Sequence, residues 1–205
     1  MKMKKVLALL SLGLLTIPAA AQLAGLPCAD SASRIEAHSL RLSGGGVIGE
    51  NENLYGGRVT YGLLEGLAIF ADLGMVEPDY ADSGLAYQGG AKLTLPFDLP
   101  VDLALRAAVG MTSLESRNWD IDVISLSGSL LASKDFERLA PYVFLGMDYK
   151  SIEAQASTGS SADDTETNIL VGGGLLYSLS KHLSLYGEAA WVEDPYFSAG
   201  ARWQF

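Results

Sequence analysis

The chain has 205 residues, a length that fits one domain, and is 49% hydrophobic but only 19% charged. Soluble domains carry about 25% charged residues, so this composition is apolar for a protein built to live in water. Its formal charge of −10 argues against nucleic acid as a partner, because phosphates are bound by Lys and Arg. Its single cysteine, Cys28, rules out an intramolecular disulfide.

The N-terminus reads as an export signal. Lys2, Lys4 and Lys5 precede an apolar stretch at 6–17 that is too short to span a bilayer. Ala19, Ala20 and Ala21 supply the small residues of a cleavage site, so 1–21 is expected to be a signal peptide and Gln22 the mature N-terminus. Removing its three lysines moves the formal charge to −13. Cys28 follows Gly25, Leu26 and Pro27, which is not a lipoprotein signal. Residues 22–33 show no period and read as a linker.

From residue 34 to 205 the period is two, the signature of strands. The last segment shows it best. Phe197, Ala199, Ala201, Trp203 and Phe205 alternate with Ser198, Gly200, Arg202 and Gln204. Turn residues cut the chain into ten expected strands, at 34–46, 53–63, 67–76, 85–95, 101–112, 121–133, 140–154, 167–178, 183–192 and 196–205. These runs are about twice the usual length of strands in soluble sheets. No later apolar run reaches the roughly 18 residues of a membrane helix, so apolarity here must belong to strands. Connections at 64–66, 96–100, 134–138 and 179–182 are short, whereas 77–84, 113–120 and 155–166 are longer and polar. Short turns on one side and longer loops on the other form the pattern of a membrane-spanning barrel. The connections near 49–52 and 193–195 break that contrast by being short.

If one strand face meets lipid, charges must occupy the other, because a basic residue facing the bilayer midplane costs about 2–4 kcal/mol. By parity, Arg41, Arg58, Asp72, Lys92, Asp102, Arg106, Asp148, Lys150, Glu188 and Arg202 all oppose their strand's apolar face. Six are basic and four acidic. The near balance predicts an ion-paired, filled lumen, with Asp102 beside Arg106, Asp148 beside Lys150, or partners on neighbouring strands. Glycines assigned to that face, among them Gly44, Gly74, Gly90, Gly128, Gly172 and Gly200, instead offer room for a narrow path.

Acids gather on the expected outer rim, and Tyr55, Tyr80, Trp119 and Trp191 fall near strand ends, where interfacial aromatics lie. Asp163, Asp164 and Glu166 are candidate cation ligands, but their spacing is not that of an EF-hand, and a solvated loop is the expectation. The two histidines, His38 and His182, fall at the opposite end from the acids, which disfavours a His-based hydrolase. No cofactor motif is present: Gly44–Gly46 and Gly172–Gly174 lack the lysine and helix of a phosphate loop.

The alternation, the rim asymmetry and the terminal Ala201-Arg202-Trp203-Gln204-Phe205 resemble the small Gram-negative outer-membrane β-barrel superfamily, with its opacity-type and OmpA-like transmembrane barrels. The resemblance covers the mature chain and carries no functional motif. It implies an all-β antiparallel transmembrane barrel of about ten strands, eight being the alternative. It also implies lipid and lipopolysaccharide as surroundings, and Trp203 and Phe205 as the signal read by barrel-assembly machinery. The expected role is structural or surface interaction without catalysis. A narrow porin-like channel is the alternative, ahead of an outer-membrane enzyme or a soluble periplasmic ligand-binding barrel.

Overall fold

Side chains that alternate in polarity leave each strand with one face for each of two environments, and ten such strands close here into a single barrel. The computed structural model describes residues 30–79, 82–116, 119–156, 161–192 and 194–205, with backbone alone at 115, 116, 119 and 156. The expected signal peptide, Cys28, Tyr80, Arg117 and Glu193 lie outside the described residues. The strands are β1 (Leu40–Ile48), β2 (Glu52–Leu64), β3 (Leu67–Pro78), β4 (Gly84–Thr94), β5 (Asp102–Ser116), β6 (Trp119–Ser133), β7 (Leu139–Ala156), β8 (Ser161–Ser178), β9 (Leu183–Trp191) and β10 (Pro195–Gln204). Each pairs antiparallel with its sequence neighbours. The sheet closes where β1 meets β10, from Arg41↔Gln204 to Ile48↔Phe197. Closure leaves no strand edge along the wall, which is what a lipid-facing sheet requires.

Three stretches differ from the sequence reading. The first strand starts at Leu40 rather than 34, because a tight turn precedes it. The Ser39 N–H and Oγ both donate to the Glu36 carbonyl, at 3.3 and 2.7 Å, and His38 adopts a left-handed φ of 63°. The polar segments near 113–120 and 155–166 are strand for most of their length. The β7–β8 ladder runs from Leu139↔Tyr177 to Gln155↔Ser161. Beyond the apolar zone both strand faces are polar, so side-chain alternation vanishes while the backbone ladder continues. β8 meets β9 only from Val171 onward, so residues 161–170 rise past the end of β9.

The faces are inverted relative to a soluble protein. Outward side chains are large, apolar and open, with Leu73, Leu85 and Phe197 each 61% exposed. Inward side chains are buried. We call the end bearing residues 30–39 and Phe205 the near end. Toward the far end the lumen packs Val47, Leu54, Val76, Leu114, Val192 and Tyr196, with Glu52, Asp148 and Lys150 buried among such side chains. Toward the near end it is charged.

Glycines and aromatics share the interior. Phe70 stands directly across from Gly90, Phe144 from Gly172, Tyr142 from Gly174 and Tyr186 from Gly200. In each case a Cβ on the glycine would overlap the facing ring. These glycines therefore seat rings and do not leave a path, an inward version of aromatic–glycine pairing across strands. Gly44 and Gly128, which the sequence placed inside, are exposed on the outer face.

Candidate functional site

The near half of the lumen is an ionic layer set up by strand register. Arg58 and Asp72 are direct partners across β2 and β3. The guanidinium donates twice to the carboxylate, Nε to Oδ1 at 2.6 Å and Nη2 to Oδ2 at 2.9 Å. Such bidentate pairs fix geometry as well as charge. One strand pair further, the register sets Lys92 opposite Arg106. Like charges directly across a sheet repel, so this pair needs a negative charge from elsewhere.

That charge comes from outside the strands. Residues 30–39 fold into the near end of the barrel, with Asp30, Ser31, Ala32 and Ile35 all buried. Lys92 Nζ donates to Asp30 Oδ1 at 2.7 Å and to the Ser31 carbonyl at 2.7 Å. Arg58 Nη1 reaches Asp30 Oδ2 at 3.5 Å. Thr94 Oγ1 donates to the Ala32 carbonyl at 3.2 Å. Three backbone bonds hold the rest of the segment. The Gly66 N–H donates to the Ile35 carbonyl at 2.9 Å, the His38 N–H to the Gly62 carbonyl at 2.8 Å, and the Gly62 N–H to the Ser39 carbonyl at 2.9 Å. Burial pushes the Asp30 carboxyl up, but Lys92 and Arg58 outweigh it and hold the group well below the usual carboxylate range. The surface pair Arg34–Glu65, at 3.0 Å with both side chains exposed, adds little.

Around this clamp, Phe70 lies under two cations, 4.3 Å from the Arg58 guanidinium carbon and 5.0 Å from that of Arg106. Arg106 Nη2 also donates to Gln88 Oε1 at 3.3 Å. The Tyr142 hydroxyl donates to Glu188 Oε2 at 2.7 Å. The register thus gathers Arg58, Asp72, Lys92 and Arg106, with Glu188 beside them across the lumen. Asp148 and Lys150 are buried further toward the far end, where the Lys150 charge acts on both Asp148 and Glu52. Arg41 and Arg202 are half-buried at the near mouth, and Asp102 stands exposed on the near rim.

Sequence reasoning missed Asp30, because a segment without period carries no strand or helix signal. The available hint was the count of six basic to four acidic lumen residues. That excess of cations called for an acid from outside the strands.

The remaining candidates do not converge. Asp163, Asp164 and Glu166 lie in β8, not in a loop. Asp163 faces opposite to the other two and pairs across with Glu153, while Glu166 pairs across with Lys150. Among the described residues no three metal-binding side chains meet. His38 Nδ1 lies 3.0 Å from the Tyr61 hydroxyl, and the His182 ring stacks on Trp203. Both histidines are at the near end. Trp203 and Phe205 are exposed on the outer face with rings 6.4 Å apart, and the Phe205 N–H donates to the Leu40 carbonyl at 3.0 Å across the closing seam.

No family model and no curated protein matches the sequence. Solved structures do resemble the fold. The outer membrane protease OmpT from Escherichia coli aligns with a TM-score of 0.52 at 11% identity, over 84% of this chain and 98% of that one. The N-terminal β-barrel domain of Pseudomonas aeruginosa OprF aligns at 0.42 and 14%, over 83% and 100%. Ail, the attachment invasion locus protein of Yersinia pestis, aligns at 0.41 and 14%, over 83% and 100%. At these identities the likeness concerns the fold alone, that of a closed β-barrel.

Proposed function

We propose that the protein is an integral outer-membrane barrel with a closed lumen, serving as a structural and surface-interaction element. The observation that carries this reading is the inversion of polarity, with open apolar side chains outside and buried charges inside. Lipid is the medium that stabilises such an exterior. The near end then faces the periplasm and the far hairpins face outward. The interior supports closure over conduction. Packed apolar side chains in the far half, rings seated on glycines, and the Asp30 clamp fill the section that a channel would need. The placement of both histidines at the near end supports a non-catalytic role, since the acids of the far hairpins are out of their reach.

Outer-membrane fractionation combined with electrophoresis of boiled and unboiled samples tests membrane residence. A closed barrel resists SDS until heated, so the unboiled protein is expected in the outer-membrane fraction with shifted migration. Identical migration together with recovery from the soluble periplasm would overturn the reading.

A further inference from the structure

The near half of the lumen is short of negative charge. Among the described residues it holds five cationic side chains, Arg41, Arg58, Lys92, Arg106 and Arg202, and three carboxylates, Asp30, Asp72 and Glu188. Strand register shows where the excess lies. Arg58 has Asp72 across from it, but Arg41 faces Thr60 and Gln204, and Arg202 faces Ser43 and Ser184. No ion pair joins Arg41 or Arg202 to a described carboxylate. Each has a buried Nε with no hydrogen-bond partner among the described residues. Residues 1–29 contain no Asp or Glu, so that stretch supplies no side-chain carboxylate.

Both arginines line one cavity of about 200 Å³ at the near mouth, together with Ser31, Ser33, Ser178 and Ser184, and Arg138, Asp135 and Glu137 complete its charged lining, three cations against two acids. The rim acid Asp135 is exposed and accepts a hydrogen bond from Ser33 Oγ at 3.2 Å. A charge withdrawn from water without a partner is costly. A guanidinium fork takes two oxygens of one carboxylate or phosphate, and serine hydroxyls can donate to the rest. A water molecule occupies about 30 Å³ of liquid, so the cavity suits one small group and not a polymer segment.

We infer that this mouth is a binding site for a small oxyanion, a phosphate or carboxylate group, held between Arg41 and Arg202 with the four serines around it. The inference goes beyond the closed-barrel reading and stands whether or not the lumen conducts. The anion supplies the missing charge in the ionic layer and ties residues 31–33 to β1, β8, β9 and β10.

The test is thermal unfolding of the full chain refolded into phosphatidylcholine vesicles, whose headgroups carry no net charge. Inorganic phosphate and succinate are titrated separately against potassium chloride at matched ionic strength. The wild-type midpoint is expected to rise saturably with one or both oxyanions, phosphate alone marking a phosphate site and succinate alone a carboxylate site. Arg41→Gln and Arg202→Gln should each weaken the apparent affinity by at least about thirtyfold, the loss that follows truncation of a buried charge partner. Arg202→Lys keeps the charge without the fork and should weaken it less. In chloride alone Arg202→Gln should unfold at or above the wild-type midpoint, because it removes an uncompensated charge. An equal rise with chloride, an unchanged response in the variants, or a sharp destabilisation of Arg202→Gln in chloride overturns the proposal.

Discussion

At the scale of single residues, Asp30 settles the near half of the lumen. It sits between Lys92 and Arg58, while register forces Lys92 against Arg106. Removing one member of a buried ionic cluster leaves the others uncompensated, at a cost of about 3–5 kcal/mol. Asp30→Asn should therefore lower the unfolding free energy of the refolded barrel, read from urea titration, by that order, whereas Lys134→Ala on an exposed turn should change it by under about 1 kcal/mol. Equal small effects would mean that water already screens the clamp. The seated rings give a second residue-scale expectation. Gly90→Ala drives a methyl group into Phe70, and overpacking of this kind costs about 1–3 kcal/mol. A neutral Gly90→Ala in the same unfolding experiment would show that the ring has room to move.

At the scale of elements, the sequence marks the strands well and their ends poorly. Strands β3, β4, β9 and β10 fall within two residues of the expected bounds, since alternation is strong where one face meets an apolar medium. The hairpins β5–β6 and β7–β8 outrun expectation, because polar residues on both faces erase the period that reveals a strand. Residues 30–39 show the opposite failure. Residues 30–33 lack any period and 34–39 read as the start of the first strand, yet buried charge pairing and three backbone bonds fix the segment, and neither can be read without knowing which strands are neighbours. The same limit applies to the ionic layer. Parity shows which charges share a face, but cross-strand register decides that Arg58 meets Asp72 and that Arg202 meets only serines.

The segment also has a defined pH response. The Asp30 carboxyl is held below its usual range, so its contribution is complete above the unfolded-state pKa of about 3.9 and is lost as pH falls toward the lower folded value. Hydrogen exchange of residues 30–39, corrected for intrinsic rates, should stay protected from pH 8 to 5 and weaken only below about pH 4. Loss of protection by pH 6 would show that Asp30 does not hold the segment.

At the scale of the whole molecule, the proposed closed lumen rests on two layers that fill the barrel by different physics. The far layer packs apolar side chains around the buried Glu52, Asp148 and Lys150, and the near layer pairs Arg58 and Lys92 with Asp72 and with Asp30 from outside the wall, leaving the cavity beside Arg41 and Arg202 at the mouth. Planar-bilayer recording of the refolded full chain tests this sealed lumen most directly. No current steps should rise above the bare-membrane baseline, and the packed far layer should keep Asp30→Asn silent as well. Stable, resolvable open steps from the wild-type protein would contradict the account and establish a channel.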